Sequence, residues 1–466
     1  MTLIKSISGI RGTLGGKAGE SLSSVDILNI SLGYGTLLKR KFPNENLKVA
    51  IGRDARISGP LVSNIITSGL ISLGIDVIDG GLATTPTVEM AVCETKAHGG
   101  IIITASHNPK NWNALKLLNE KGEFLSKADG EEVLKLSEPS NFDFATVDKL
   151  GKYYQDNAWL KSHIKKIMEL PLVDTKAIKN ANFTVVIDCV NSVGGIAFPA
   201  LLKSLGVKNV IELYCEPNGI FPHNPEPLAE HLTELSSEVV RHKAHLGFAT
   251  DPDVDRLAIV CEDGDMFGEE YTLVSIADYI LKNTPGGTVS NLSSTYALKD
   301  VTEKHNCKYY ASAVGEVNVV EKMKAIDAVI GGEGNGGVIY PDLHYGRDAL
   351  VGIALFLTHL AKSGKTCKAL KKTYPEYHMS KNKIELPSDL NIDNVMKKIA
   401  LQYKNYEINM EDGIKIIFDK EWVHLRKSNT EPIIRIYSES NSMVKAEHLA
   451  DKLKADIKEI IRGEQD

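Results

Sequence analysis

A chain of 466 residues is too long for one ordinary hydrophobic core, so about three or four domains are expected. Hydrophobic residues make up 43% and charged residues 24%, the balance of a globular protein rather than a disordered one. The net charge of −6, from 54 basic and 60 acidic side chains, leaves no electrostatic footprint for nucleic acid or an anionic membrane, so any phosphate site must be built locally.

The N-terminal stretch MTLIKSISGIRGTLGG carries no apolar signal core, and no later apolar run is long enough to cross a bilayer. The six cysteines, Cys93, Cys189, Cys215, Cys261, Cys307 and Cys367, form no C-x-x-C pair, and several stand in apolar, strand-like runs. Buried free thiols in a cytoplasmic protein are the expectation.

From the N-terminus onward, one pattern occurs three times: an apolar strand, a small-residue turn, an amphipathic helix and a second strand. The first copy starts at Leu47, turns through GRDARISGP and continues as LVSNIITSGLISLG into IDVID. The second runs TVVIDCV, NSVGG, IAFPALLKSLG, NVIEL, and the third GTVSNL, SST, YALKDVTEKHN, KYYAS. Such alternation implies βαβ units on parallel or mixed sheets. The tail differs in kind: strands IKIIF, EWVHLRKS and PIIRIYSES are joined by turns and precede a helix, which predicts an antiparallel α+β domain. The fold class is therefore α/β, with three tandem α/β domains over 1–150, 151–257 and 258–370 and a fourth domain over 371–466.

Four segments carry groups suited to chemistry. In IIITASHNPKNWNALK, Ser106 follows a buried strand and Pro109 forbids immediate helix growth, so its hydroxyl falls on a tight, surface-exposed loop at a strand's C-terminal end. In DPDVDR, Asp251, Asp253 and Asp255 alternate, so a curled segment can aim all three at one point. Their mutual repulsion calls for a cation, and oxygen-only ligands suit Mg²⁺ or Ca²⁺. An EF-hand is excluded, because Arg256 stands where that loop needs Gly and a strand, LAIVC, follows. GGEGNGG lets backbone approach a ligand closely, with Glu333 and Asn335 as polar groups, and lacks both the Walker ending and the dinucleotide spacing. RKSNTEP offers Arg426, Ser428, Asn429 and Thr430 as donors that could ring one phosphate. Arg11, Arg53 and Lys116 are further cations near glycines or polar turns.

Together these segments resemble the α-D-phosphohexomutases over essentially the whole chain: TASHNP their phosphoserine loop, DPDVDR their metal loop, GGEGNGG their sugar loop and RKSNTEP their phosphate loop. The resemblance implies four domains around a central cleft and a phosphoryl transfer between two positions of a hexose phosphate. Ser106 is then the phosphoryl carrier, which with Asp251, Asp253 and Asp255 holds one Mg²⁺ per chain. Arg11 and Arg256 fall at active-site arginines, and Lys116 at a lysine assigned to proton transfer. Glu333 and Asn335 would face the sugar, and Arg426, Ser428, Asn429 and Thr430 the phosphate not being transferred. A hexose 1,6-bisphosphate would act as intermediate and activator, and a monomer or homodimer is implied.

The chain departs from the pattern where many members end the sugar loop with His, since it has Gly337; His344 is the candidate replacement as acid or base. Asn335 stands where many members have Ser, and Lys427 and Asn429 replace Pro and Gly of a common phosphate-loop form. AVGEVNVVEKM resembles the V-G-acidic segment of the phosphoglucosamine mutase branch, where the phosphomannomutase/phosphoglucomutase branch carries T-G-His. Glucosamine phosphate is thus expected ahead of mannose or glucose phosphate. A metal-dependent sugar phosphatase and a non-catalytic sugar-phosphate sensor are the rivals from other classes. A sensor would need neither Ser106 nor the aspartates, and a phosphatase would need no second phosphate grip.

Overall fold

The computed structural model describes residues 2–6, 9–385, 392–427 and 433–465. They gather into two compact units, Met1–Thr272 with Asn335–Lys371, and Leu273–Gly334 with Lys372–Asp466.

The first unit carries a seven-stranded sheet of β1 (Leu3–Ser6), β2 (Gly9–Thr13), β3 (Lys48–Arg53), β4 (Asp76–Leu82), β5 (Gly99–Ile103), β6 (Trp112–Leu118) and β7 (Tyr153–Gln155), in the order β1-β2-β6-β5-β3-β4-β7. Strand β3 is parallel to both β4 and β5, as the βαβ reading requires, whereas β6 runs antiparallel to β5 and β2. A second sheet in the same unit orders β8 (Thr184–Asp188), β9 (Asn209–Leu213), β10 (Leu246–Thr250) and β11 (Leu257–Cys261) as β11-β10-β8-β9. Central strands such as β5 and β10 are buried along their whole length, which explains their unbroken apolar sequences. The helix Thr233–Arg241 covers one face of the second sheet by burying Leu235 and Val239, four residues apart, among Val186, Ala249 and Val260. At about 2 kcal/mol for each such side chain, that stripe holds the helix down. The helix Gly194–Leu205 stops at Gly206, whose φ of +86° is left-handed backbone that a glycine adopts without a Cβ penalty.

In the second unit, β12 (Thr288–Asn291) pairs in parallel with β13 (Tyr309–Ser312) and β14 (Ile330–Glu333). Strand β15 (Gly337–Ile339) falls in the first unit, where Ile339 bridges Arg347. The last sheet is antiparallel throughout: β16 (His378–Glu385), β17 (Glu407–Asn409), β18 (Ile414–Phe418), β19 (Glu421–Lys427) and β20 (Ile433–Ser440), ordered β16-β20-β19-β18-β17. The helix Met443–Gln465 buries Ala450, Leu453 and Ile457 in one cluster with Ile416, Val423, Leu425, Ile434 and Ile436 of that sheet. Three α/β domains followed by an antiparallel α+β domain are thus present. Strand β7 joins the first sheet although it lies past residue 150, and β11, which begins at Leu257, joins the second. Among the described residues, no helix is long and apolar enough to cross a membrane.

Candidate active site

Ser106 follows β5 and is held in left-handed backbone, φ +48°, which a serine seldom adopts. The loop beyond it is exposed at residues 109–111, as expected, but Ser106 itself is buried, only 6% accessible. The reason is Arg56. Its guanidinium, itself in the interior, donates to the carbonyls of Ser106 and Asn108 at 2.6 Å, of Pro109 at 2.7 Å and of Trp112 at 3.1 Å. Its Nε donates to Asp54 Oδ2 at 3.0 Å, which also accepts from Thr104 Oγ1 at 2.6 Å. Thr104 Oγ1 in turn accepts the Ser106 N–H at 2.9 Å. The Ser106 hydroxyl is thereby aimed, and it donates to Asp251 Oδ2 at 2.7 Å.

The aspartates lie on the connection between two buried antiparallel strands, β10 and β11. Val254 takes φ +66° there, strained for a β-branched residue, which curls the segment and turns all three carboxylates the same way. Asp251, Asp253 and Asp255 are fully buried, and one oxygen from each lies within 4.8 Å of the others. Lys116, on β6, donates to Asp253 Oδ2 at 2.7 Å and lies 3.3 Å from Asp255 Oδ2. Thr85 Oγ1, in the first turn of the helix Thr85–Glu94, donates to Asp253 Oδ2 at 2.6 Å, and its N–H donates to the Asp253 carbonyl at 2.9 Å. Arg347 Nη2 donates to Asp255 Oδ2 at 2.7 Å. Arg256 donates its backbone N–H to Asp251 Oδ1 at 3.3 Å, and its guanidinium reaches Glu226 at 3.4 Å.

Burial drives the Asp251 carboxyl well above its ordinary range, reinforced by the charges of Asp255 and Asp253. For Asp253, burial pushes the same way but is outweighed by the Lys116 ammonium and the Thr85 hydroxyl, so it is held below the usual range. Lys116 is desolvated too, yet the two carboxylates hold its proton more firmly than usual. Burial, followed by the charge of Arg256, lowers the His107 pKa to about 2, so the imidazole beside Ser106 Oγ is neutral. Burial also lowers the pKa of Arg11, on β2, and Arg256 and Arg347 lower it further while Asp253 opposes them. Three guanidiniums and an ammonium around three carboxylates can receive a phosphoryl group. Among the described residues, the Oδ1 atoms of Asp253 and Asp255 find no hydrogen-bond partner, although both are buried. An oxygen-only triad with such orphaned atoms fits a hard divalent cation.

Gly337 has a physical role here. A Cβ at that position would stand 2.3 Å from Arg347 Cδ, so the bare backbone is what lets Arg347 cross to Asp255. Arg347, and not His344, lies over Gly337; His344 faces Asp348 and Glu89 instead. Asn335 stays local, accepting the Gly337 N–H at 3.2 Å. Arg53 donates to the Asp54 carbonyl at 3.2 Å.

In the second unit, Glu333 ends β14 and its Oε1 accepts from Asn291 Nδ2 at 2.8 Å and from the Gly315 N–H at 3.1 Å. Glu316, buried, opens the helix Glu316–Ile326 directly after Gly315. Arg426, on β19, pairs with Asp412 at 2.7 Å. Ser428, Asn429 and Thr430 lie outside the described residues. Sequence reasoning missed Arg56, Thr85 and Arg347. Each was visible only as a polar residue beside a glycine or proline turn.

Comparison with known proteins gives matches along the chain to the four models of phosphoglucomutase/phosphomannomutase: alpha/beta/alpha domain I over residues 4–142, domain II over 161–264, domain III over 268–377 and the C-terminal domain over 383–455. A phosphoglucomutase/phosphomannomutase of Thermococcus kodakarensis is 37% identical over 93% of this chain and 95% of its own. A phosphoglucosamine/phosphogalactosamine mutase of Sulfurisphaera tokodaii is 30% identical over 98% of both. The crystal structure of a phosphoglucomutase/phosphomannomutase family protein from Burkholderia thailandensis shares the fold, with a TM-score of 0.82 at 23% identity over 98% of each chain.

Proposed function

We propose that this chain, which belongs to the phosphoglucomutase/phosphomannomutase family and is a phosphohexomutase, interconverts glucosamine 6-phosphate and glucosamine 1-phosphate. The observation that carries the substrate is the link between Gly315 and Glu333. The Gly315 N–H donates to Glu333 Oε1 at 3.1 Å, so the buried Glu316 begins its helix one residue from that contact. Acidic residues at Glu316, next to Gly315, and Glu333, which accepts the Gly315 N–H, would favour a cationic amino sugar over a neutral hexose. The Sulfurisphaera tokodaii relative is named for amino-sugar phosphates, whereas the Thermococcus kodakarensis relative carries the glucose and mannose names. Phosphomannomutase/phosphoglucomutase activity is therefore the second reading.

In this reading phospho-Ser106 gives its phosphoryl group to the free hydroxyl of the sugar monophosphate. The P–O bond to Ser106 breaks as the bond to the sugar oxygen forms, and the hydroxyl proton leaves to a base. The 1,6-bisphosphate then turns round and returns its other phosphate to Ser106. Free bisphosphate would act as activator by rephosphorylating the serine. Asp251, Asp253, Asp255 and the phosphoserine would hold Mg²⁺, which neutralises charge on the transferring group when bound. Arg11, Arg256 and Arg347 supply cationic donors for the same oxygens. Lys116 is the group assigned to proton transfer, Glu333 and Asn335 to the sugar, and Arg426 with Ser428, Asn429 and Thr430 to the phosphate that stays. His344 is left out of the reacting set, because its ring faces Glu89 and Asp348.

The test is kcat/KM for the 6-phosphates of glucosamine, glucose and mannose, with a 1,6-bisphosphate present and free phosphate measured alongside. Glucosamine 6-phosphate should lead by about tenfold or more, with isomer far exceeding released phosphate. A preference for mannose or glucose phosphate would overturn the substrate and leave the mutase standing.

A further inference from the structure

Four ionisable side chains meet inside the first unit, separate from the aspartate triad: Glu89 on the helix Thr85–Glu94, His163 on the helix Trp159–Glu169, His344, and Asp348 at the start of the helix Ala349–Ser363. Glu89, His163 and Asp348 are buried, and the His344 side chain is 12% accessible. Asp348 is fixed by its helix, since its Oδ1 accepts the Leu350 N–H at 2.7 Å and the Val351 N–H at 3.3 Å. Its Oδ2 faces two imidazoles, His163 Nε2 at 2.8 Å and His344 Nε2 at 3.3 Å. The remaining ring nitrogens each meet an oxygen: His163 Nδ1 lies 2.9 Å from Thr87 Oγ1, and His344 Nδ1 lies 3.4 Å from Glu89 Oε2. The chain makes room for this meeting at Gly346, where a Cβ would stand 1.9 Å from Glu89 Oε2 and 2.8 Å from His344 Cε1.

We propose that His163, His344 and Asp348 bind a zinc-like transition-metal ion. Both histidines turn Nε2 toward Asp348 Oδ2, and His163 Nδ1 hydrogen-bonds Thr87 Oγ1, the arrangement in which the outer N–H bond fixes the tautomer that ligates, while His344 Nδ1 faces the Glu89 carboxylate. Two imidazoles and a carboxylate select zinc over magnesium, the reverse of the all-oxygen triad. Two imidazole nitrogens and the Asp348 carboxylate supply three ligands, and a fourth position is left for water. Such an ion would pin the helices that carry His163 and Asp348 to the loop of His344. Glu89 would serve as the acceptor that orients His344.

The competing arrangement holds the same cluster together with protons alone, as an imidazolium between two carboxylates. Cobalt separates the two. The full-length protein is stripped with chelator, its triad is refilled with excess Mg²⁺, and Co²⁺ is titrated while the visible d–d absorption is recorded. One equivalent of Co²⁺ should give a tetrahedral-type band that zinc abolishes, in the wild type and equally in Asp253→Asn. The band should be lost in His344→Gln and in His163→Gln, and zinc should raise the Tm of the wild type but not of His344→Gln. His344→Gln decides the matter if His163→Gln does not fold, because His344 is partly exposed. No band in the wild type, or a band that survives His344→Gln and disappears with Asp253→Asn, overturns the proposal.

Discussion

The polar groups of the two units are held in different ways. In the first, Ser106, Lys116, Arg347 and the three aspartates brace one another from separate elements, with charged partners at 2.7 Å. In the second, Glu333 accepts from an amide and a backbone N–H, and Arg426 pairs with Asp412 where both side chains are partly exposed. Phosphoryl transfer gains from fixed charge aimed at the reacting atoms before they arrive. Recognition of a sugar needs carboxylates held in a fixed orientation. The difference predicts large, all-or-none losses in the first unit and graded, substrate-dependent ones in the second.

The steepest loss should follow Ser106→Ala, with turnover falling by about 10⁴-fold or more if the variant removes the proposed phosphoryl carrier. Intact-mass analysis should find phosphate on the wild type and none on the variant, and near-normal turnover would end the phosphoserine mechanism. Asp253→Asn should come next, at about 10²- to 10³-fold, since one ligand charge and the partner of Lys116 are lost together. Chelation should inactivate the wild type, and Ca²⁺ should occupy the triad while supporting little turnover. Chelator-resistant activity would reduce the triad to a structural knot.

Arg56→Ala probes the brace itself. It strands Asp54 in the interior, where burial already pushes that carboxyl up and Arg56 is the main counterweight. Loss of one partner of such a pair costs about 3–5 kcal/mol. A matching drop in the urea midpoint is the expected readout, and an unchanged midpoint would mean that neither Asp54 nor the loop carbonyls depend on Arg56 for stability. In the second unit, Glu316→Gln should lower kcat/KM for glucosamine 6-phosphate by about tenfold and change that for glucose 6-phosphate by less than about twofold. Equal losses would make Glu316 a helix-start residue and nothing more.

Much of this was legible in the sequence because it is local. The apolar VVI of TVVID and all of LAIVC read as buried strand, and they form strands β8 and β11. The alternation of Asp251, Asp253 and Asp255 places three carboxylates together at any curl of the chain. What was not legible depends on residues far apart. Arg56 matters through carbonyls at Ser106 and beyond, about which its own turn says nothing. Gly337 reads as a lost histidine until Arg347 is seen filling the space a Cβ would need. His163 looks like an ordinary residue of an amphipathic helix, and only the fold brings it to Asp348. The burial of Ser106 itself, within a loop otherwise exposed at 109–111, was missed for the same reason, since a buried arginine holds its carbonyl.

The smallest effect should come from a brace in the first unit that titrates, unlike those built from lysine and arginine. His223 Nε2 sits 3.0 Å from Asp188 Oδ2, at the end of β8, whose other oxygen accepts the Val190 N–H at 3.0 Å. Burial alone would lower the His223 pKa, but the hydrogen bond and charge of Asp188 outweigh it, and the folded value lies above the ordinary 6.5. A group whose pKa is raised by folding binds its proton more tightly in the native state. Its stabilisation is fully present below the unfolded pKa and disappears as pH rises through the folded one. The wild type should therefore melt above His223→Gln at about pH 6, by an amount worth about 1 kcal/mol or less for this partly exposed pair, and the gap should close by about pH 9. A gap that is constant across that range would mean that His223 contributes packing rather than charge. A gap that widens with pH would mean that the neutral imidazole is the form the fold prefers.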